Sequence, residues 1–240
     1  MGKAKTVIVT GASQGIGAAI AQAFFDRGYN VVANSRSMAK SSFTPSQRLV
    51  LVDGDIGEPS TAERIAETAL LKFGSIDHLV NNAGIYAAKP FTEYSANDLR
   101  GFETTNLDGF VFVTQIVVKQ MLSQGIGGSI TTITAALADN PITGAPSSIP
   151  MITKGGLNAI TISLANEYAK EHIRFNAVAP GIVNSPMHDA NPKDFLKTLS
   201  PMGTISETQD IAEAVIYLTE ARNVTGEVLH VDGGAHVGRW

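Results

Sequence analysis

Seven short runs rich in β-branched residues alternate along the chain with longer segments of helical periodicity. The runs are TVIVT (6 to 10), NVVAN (30 to 34), RLVLVD (48 to 53), HLVNN (78 to 82), SITTIT (129 to 134), IRFNAVAP (173 to 180) and EVLHVDG (227 to 233). Parallel neighbouring strands need a long connection, which a helix supplies. The alternation therefore predicts an α/β fold with a doubly wound, seven-stranded parallel sheet and helices on both faces.

The length of the chain fits one domain of this class. At 240 residues it exceeds the commonest domain size, but α/β folds routinely reach this length as a single unit. We therefore predict one domain over residues 1–240. The least regular stretch, residues 184–208, contains three prolines and several apolar residues. We predict that it forms a lid over a small-molecule substrate, and its composition favours an apolar or aromatic ligand.

Composition and charge exclude several classes of partner. The formal net charge is -4 and no lysine or arginine cluster interrupts the balance, which disfavours nucleic-acid binding. The chain has no cysteine and its five histidines are scattered, so we expect no metal site. No apolar stretch approaches the ~20 residues of a membrane span, and a strand-like run begins at Thr6, where a signal peptide would need room. A soluble, cytoplasmic protein that contacts neither membranes nor nucleic acid is expected.

A glycine-rich loop follows the first predicted strand immediately and opens a helix. It reads TGASQGIG over residues 10 to 17. Glycines let the backbone turn sharply and approach a pyrophosphate, whose charge is favoured by the N–H groups at the helix N-terminus. In this Rossmann-type position the loop predicts dinucleotide binding, although a glycine-rich turn without a ligand is the alternative. The predicted cofactor-binding residues of the loop are Gly11, Ser13, Gln14, Gly15, Ile16 and Gly17.

The G-x-x-x-G-x-G spacing of this loop, together with Asn81-Asn82-Ala83-Gly84 at the end of the fourth strand, resembles the short-chain dehydrogenase/reductase family. The resemblance continues in order with Asp55-Ile56, Asn106, Lys154-Gly155-Gly156, the run IRFNAVAPG (173 to 181) and VDGG (231 to 234). It implies an NAD(P)-dependent oxidoreductase that assembles as a homodimer or homotetramer. It also implies further cofactor contacts by Asp55, Ile56, Asn82, Ala83, Gly84, Lys154, Pro180, Gly181 and Val183.

The end of the second strand carries the choice between the two nicotinamide cofactors. An acidic residue there would hydrogen-bond the adenosine ribose of NAD and repel an added 2′-phosphate. This chain has Ser35 followed by Arg36. A hydroxyl and a guanidinium suit a phosphate monoester, so NADP(H) is favoured. The alternative is that Arg36 lies over the adenine ring and that NAD(H) also binds.

The catalytic residues that the resemblance implies are only partly present. The family combines a serine, a tyrosine that donates the proton in reduction, a lysine one helical turn later and an asparagine. Asn106 and Lys154 occupy two of these positions, whereas the tyrosine position is Pro150 and the serine position is Ala135, next to Thr134. A wider spacing, with the acid seven residues before the lysine, leads to Ser147. Pro150 also fits the first turn of a helix capped by Ser147 or Ser148.

Two functions remain open for such a site. The first is an NADP(H)-dependent oxidoreductase acting on a carbonyl-type or quinone-like molecule with a non-standard proton donor. That donor would be Lys154, a serine or threonine hydroxyl relaying from water, an acidic group of the substrate, or His188 of the predicted lid. The second is a catalytically impaired NADP(H)-binding protein that acts as a sensor or scaffold.

Overall fold

The computed structural model describes residues 4–142 and 144–238. Residues 1–3, 143 and 239–240 of the predicted domain lie outside this description. The strands are β1 (Thr6–Thr10), β2 (Asn30–Ser35), β3 (Leu49–Asp53), β4 (His78–Asn81), β5 (Gly128–Ile133), β6 (Ile173–Pro180), β7 (Val183–Asn184), β8 (Ser206–Glu207) and β9 (Val228–Val231). The helices are α1 (Gly15–Asp26), α2 (Pro59–Phe73), α3 (Ala96–Phe102), α4 (Gly109–Gln124), α5 (Ser148–Glu167), α6 (Lys193–Lys197) and α7 (Thr208–Glu220).

Seven of the strands form one parallel sheet in the order β3-β2-β1-β4-β5-β6-β9. The predicted seven-stranded, doubly wound sheet is confirmed, and no predicted strand end is displaced by more than two residues. The two remaining strands, β7 and β8, pair with each other apart from this sheet and were not predicted. They begin and end the irregular region between β6 and α7.

Side chains of each central strand alternate between two hydrophobic cores. In β1, Val7 and Val9 face one core, and Ile8 faces the other. The first core contains α1 and α7, and the second contains α2 and α4. Because both faces of the sheet are covered, its strands read in the sequence as nearly continuous apolar runs. This is why a parallel α/β fold was predictable.

A π-helical segment joins α3 to α4. Helix α3 begins at a capping box, in which Ser95 Oγ accepts from Asp98 N and the Asp98 carboxylate accepts from Ser95 N. The following residues, Glu103–Asp108, have π-helical geometry before α4 continues the same path. Single π turns inside α-helices occur frequently at functional sites. Here the segment carries Asn106.

Over residues 4–142 and 144–238, no helix combines the length and apolarity needed to cross a membrane.

The chain reverses its direction of winding between β1 and β4, which are neighbours in the sheet. From β1 the chain builds outward to β2 and β3, then returns to the other side of β1 and builds outward through β4, β5 and β6. Open α/β sheets bind their ligands at this reversal, outside the carboxyl ends of the strands. The glycine-rich loop after β1 and the Asn82–Gly84 segment after β4 both lie at this position.

Candidate active site

A cleft of about 270 Å³ opens at the carboxyl ends of β1, β4, β5 and β6. Its walls come from the loops that follow these strands, from α5 and from the 184–208 segment, which contributes residues 185–188 and Leu199. The interpretation of that segment as a lid remains a prediction. Twelve of the predicted site residues line the cleft: Gly11, Gln14, Gly15, Ile16, Gly17, Asn82, Ala83, Gly84, Lys154, Pro180, Gly181 and Val183.

The other predicted site residues lie around the cleft without lining it. They are Ser13, Ser35, Arg36, Asp55, Ile56 and Asn106. Ser35 is the last residue of β2, and the following Arg36 is exposed. The end of β2 lies next to the glycine-rich loop, because Ala12 N donates to Asn34 O at 2.8 Å. Ile56 is buried in the core, and with Asn106 it lines a smaller cavity behind the cleft. A contact between Ile56 and a bound cofactor therefore stays a prediction.

The glycine-rich loop is held in a tight turn by the loop after β4. Gly11 and Gly15 have φ angles of 66° and 56°, a conformation that favours glycine. Asn82 Nδ2 donates to Thr10 O at 2.9 Å and to Gly11 O at 3.2 Å. Any Cβ on Gly17 would collide with Gly11 O and with Asn82 Nδ2. The sequence therefore fixes a cradle at the N-terminus of α1 in which a pyrophosphate fits.

Lys154 extends from α5 into the cleft, and its Nζ donates to Ile133 O at 2.8 Å. Burial lowers the pKa of Lys154 to about 8 because the charged form loses its hydration. The ammonium form still predominates at neutral pH. Gly84 leaves room for this group, since a Cβ there would lie 3.2 Å from both Lys154 Nζ and Asn106 Oδ1.

Asn106 connects two elements of the site through hydrogen bonds. It is buried, and its Oδ1 accepts from Ile85 N at 2.9 Å. Its Nδ2 donates to Ile85 O at 3.2 Å and to Thr153 Oγ1 at 3.0 Å. The side chain thereby ties the loop after β4 to α5, one residue before Lys154. Asn106 and Lys154 are brought together as the resemblance implies, although their catalytic roles remain proposals.

The hydroxyl groups predicted as substitute donors have different surroundings. Thr134 Oγ1 donates to Val178 O at 3.3 Å, in the sheet. Ser148 is exposed and lies outside the cleft lining. Helix α5 does begin at Ser148 with Pro150 in its first turn, and Ser147 occupies the N-cap position. The predicted N-cap position of Ser147 is confirmed, but its hydroxyl makes no capping hydrogen bond.

His188 lines the cleft from the side of the 184–208 segment. Burial lowers the pKa of His188 below its ordinary value, which more than offsets the opposing hydrogen bond with Asn191. A histidine with a lowered pKa is largely neutral at physiological pH and has little proton to give as an acid. His188 lies in the cleft, as the hypothesis that it donates the proton requires, but its neutral state does not favour that role.

Tyr86 is a cleft residue that the sequence analysis missed. It follows Gly84 by two residues and is half-buried on the loop after β4. Its Oη lies 2.6 Å from Ser147 Oγ. The only available signal was its position just beyond a strand at the reversal of the sheet, because the contact with Ser147 joins residues 61 positions apart. Ser147 therefore holds a tyrosine hydroxyl instead of capping α5.

Similarity to known proteins agrees with the geometry of this cleft. Residues 11–236 match the family model described as enoyl-(acyl carrier protein) reductase. An L-rhamnose 1-dehydrogenase (NAD(P)(+)) from a Sphingomonas species is 32% identical over 247 residues, covering 97% of this chain and 96% of the relative. The 3beta-hydroxysteroid dehydrogenase 1 of Eggerthella lenta is also 32% identical over 247 residues, covering 97% of this chain and 94% of the relative.

Solved structures lead to the same family. The crystal structure of a 3-ketoacyl-(acyl-carrier-protein) reductase from Brucella melitensis, complexed with NADH, has a TM-score of 0.91 to this chain at 28% identity, covering 98% of this chain and 99% of the other. The similarity extends over the sheet, the glycine-rich loop and the cleft together. The chain therefore belongs to the short-chain dehydrogenase/reductase family and is an NAD(P)-dependent oxidoreductase.

Proposed function

We propose that this protein transfers a hydride between NADP(H) and a carbonyl-type or quinone-like small molecule, using a non-standard proton donor. The observation that carries the proposal is the amine of Lys154, which lies in the cleft beside Gly84 at the reversal of the sheet. The relatives are named for a sugar, a steroid and a ketoacyl group, and the names share oxidation or reduction at a carbon–oxygen bond. They support the reaction class, whereas the substrate of this chain stays open.

The cofactor site fits a dinucleotide. The glycine cradle of Gly11, Gly15 and Gly17 would hold the pyrophosphate at the N-terminus of α1, and Lys154 would contact the nicotinamide ribose. When bound, the nicotinamide supplies or accepts the hydride. Ser35 and Arg36 at the end of β2 would contact a 2′-phosphate.

The surroundings of Lys154 suit a reaction in which negative charge develops on oxygen. Hydride addition to a carbonyl leaves an alkoxide, which is stabilised by a nearby cation or by a proton. The ammonium of Lys154 supplies such a cation at neutral pH, because the lowered pKa of about 8 is still above 7. Ala135 and Pro150 offer no proton, so substrates whose reduced form is a stabilised anion, such as quinones, place the smallest demand on this site.

Loss of the lysine amine tests the proposal. NADPH oxidation is followed with 9,10-phenanthrenequinone and with 2,3-butanedione as probes. We expect the Lys154→Ala variant to lose about 100-fold or more of kcat, because the cation that faces the developing charge is removed. The exposed Lys170 provides the matched control, and Lys170→Ala should keep the wild-type rate. If the wild type binds NADPH but turns over no faster than Lys154→Ala, the protein is instead a sensor or scaffold.

Replacing Arg36 tests the preference for NADP(H). The exposed guanidinium of Arg36 would donate charge-assisted hydrogen bonds to the 2′-phosphate, each typically worth about 1.5–3 kcal/mol. We expect Arg36→Ala to weaken NADPH binding by at least about tenfold and NADH binding by less than about threefold. Fluorescence titration measures both. The control is Arg222→Ala, an exposed arginine between α7 and β9. An equal loss for both cofactors would mean that Arg36 contacts the adenine alone.

The cellular state follows from the family resemblance. We infer a cytoplasmic homodimer or homotetramer. Ile152 and Ile162 of α5 support this proposal, because 58% and 55% of their surfaces are exposed in the single chain. Apolar groups of this size are commonly covered in assemblies. Light scattering of the purified protein measures the oligomeric state.

A further inference from the structure

The geometry points to Tyr86 as the proton donor of this enzyme and to Ser147 as the residue that positions its hydroxyl. This inference rests on the proposed oxidoreductase function and names the non-standard donor that the function requires. Neither residue corresponds to the tyrosine position of the family, which is Pro150 in this chain.

Tyr86 reaches the cleft from the loop after β4. Its side chain lines the same cavity as Lys154, and it is half-buried, so both substrate and water have access to it. The loop is fixed close by, because Asn106 hydrogen-bonds both the N–H and the C=O of Ile85. A hydroxyl on a braced loop at the edge of a cleft has the fixed position that proton transfer requires.

Ser147 holds this hydroxyl at the beginning of α5. The distance between Tyr86 Oη and Ser147 Oγ is 2.6 Å, which is at the short end for bonds between hydroxyl groups. Ser147 is buried, and in the present arrangement its single proton is donated to Ala145 O at 2.9 Å. Tyr86 therefore donates to Ser147 in this state.

The position of Ser147 favours a negative charge on the phenol oxygen. Ser147 is the N-cap residue of the 20-residue helix α5, and the N-terminus of a helix stabilises anions. Lys154 lies seven residues later, a spacing that brings side chains back to the same side of a helix. The phenol of Tyr86, from the loop after β4, and the amine of Lys154, from α5, both line the cleft.

The proton transfer balances with these groups. Bound NADPH would supply the hydride by breaking a C–H bond at nicotinamide C4 and would be oxidised to NADP⁺. The hydride would form a C–H bond at the carbonyl carbon, while the carbonyl π bond breaks and its electron pair moves to oxygen. Tyr86 Oη–H gives its proton to that oxygen and becomes a phenolate. Ser147 then turns its proton from Ala145 O to the phenolate, and water from the open cleft returns a proton to Tyr86.

The other hydroxyl and imidazole groups around the cleft are less suited to this step. Thr134 Oγ1 is bonded to Val178 O within the sheet. His188 is held mainly neutral, because burial lowers its pKa. Tyr86, by contrast, combines a position in the cleft with a hydroxyl partner, Ser147, for the anion that forms when it gives up its proton.

Removing one oxygen atom tests the donor. We expect Tyr86→Phe to lower kcat for NADPH oxidation with 2,3-butanedione by about 10²- to 10⁴-fold, because the acid is lost. NADPH affinity and the thermal unfolding midpoint should stay at their wild-type values. Tyr94→Phe is the matched control, since Tyr94 lies further along the same connection and donates to Ala87 O outside the cleft lining. It should remain within about threefold of wild type.

A second pair of variants tests the positioning role of Ser147. Ser147→Ala should lower kcat without raising KM, and Ser147→Thr should restore most of the rate because it keeps the hydroxyl. If Ser147→Thr is as slow as Ser147→Ala while both are folded, the positioning role is wrong. If Tyr86→Phe turns over within about threefold of wild type, Tyr86 is not the donor and the proposed function stands. If the wild type binds NADPH but oxidises it no faster than Lys154→Ala with either probe, both proposals fail.

Discussion

Adding one methyl group at Gly17 should disrupt both the fold of the cofactor loop and nucleotide binding. Gly17 lies in the first turn of α1, and a Cβ there would collide with Gly11 O and with Asn82 Nδ2. Overpacking of this kind typically costs about 1–3 kcal/mol of unfolding free energy. The backbone shift that relieves the collision moves the N–H groups of the cradle, so we expect Gly17→Ala to bind NADPH at least about tenfold more weakly.

A control variant at a second helical glycine distinguishes the collision at Gly17 from the general effect of replacing glycine by alanine. Gly101 lies in α3, and an added Cβ would meet only Ile85 Cδ1 at an ordinary contact distance of 3.6 Å. Gly101→Ala should be neutral or stabilising by up to about 1 kcal/mol, because alanine is the better helix former. Urea unfolding and NADPH titration measure both variants. Wild-type NADPH affinity in Gly17→Ala would show that the cradle does not bind the cofactor.

Acid should destabilise the protein through one buried histidine. His78 in β4 is only 5% exposed, and its Nδ1 lies 2.8 Å from Ser129 Oγ. Burial lowers the pKa of His78 to about 3, with smaller contributions from the charges of Lys5 and Arg174. The unfolded chain takes up a proton near pH 6.5 and the folded chain does not. The stability from neutral His78 is thus present above pH 6.5 and is lost as the pH falls from 6.5 toward 3.

The expected size of this effect is about 2 kcal/mol between pH 7 and pH 5, since each pH unit below 6.5 is worth about 1.4 kcal/mol for one proton. His78→Asn keeps a polar partner for Ser129. It should lower the slope of unfolding free energy against pH by the contribution of one bound proton. His172→Asn is the control, because His172 is exposed and asparagine tolerates its φ of 57°. An unchanged slope in His78→Asn would contradict the assignment.

The fold was predictable because its signals are local. β-Branched runs such as residues 6–10 are buried on both faces and read as strands without knowledge of their neighbours. The same holds for the glycine-rich loop, in which positive φ angles at Gly11 and Gly15 require glycine. Strand ends were less certain by one or two residues, because the last residues of a strand depend on the hydrogen bonds of the adjacent strand.

The site was predictable only where the resemblance supplied a position. Lys154 lies in the cleft as expected, but its pKa is lowered by burial, which depends on tertiary packing that no sequence motif encodes. The bond between Tyr86 and Ser147 joins two loops that are 61 residues apart. Local reasoning assigned Ser147 to helix capping because serine commonly has that function. The tertiary contact with Tyr86 overrides it.

The proposed donor, Tyr86, would replace the acid that the family usually has at the position of Pro150. Pro150 begins α5 with a residue suited to a first helical turn, and Ala135 leaves an apolar wall after β5. Under the proposed mechanism, the protein would bind its cofactor in the glycine-rich cradle and receive its proton from Tyr86 on the loop after β4.

The most direct test of hydride transfer in this cleft is the fate of a label on the cofactor. NADPH carrying deuterium at the transferable position of nicotinamide C4 is incubated with the protein and 2,3-butanedione, and the product is examined by mass spectrometry. We expect deuterium on the carbon of the new alcohol with the wild-type protein, and only trace incorporation with Lys154→Ala. NADPH binding with no deuterium transferred to this diketone and no oxidation of NADPH by 9,10-phenanthrenequinone would contradict hydride transfer in this cleft.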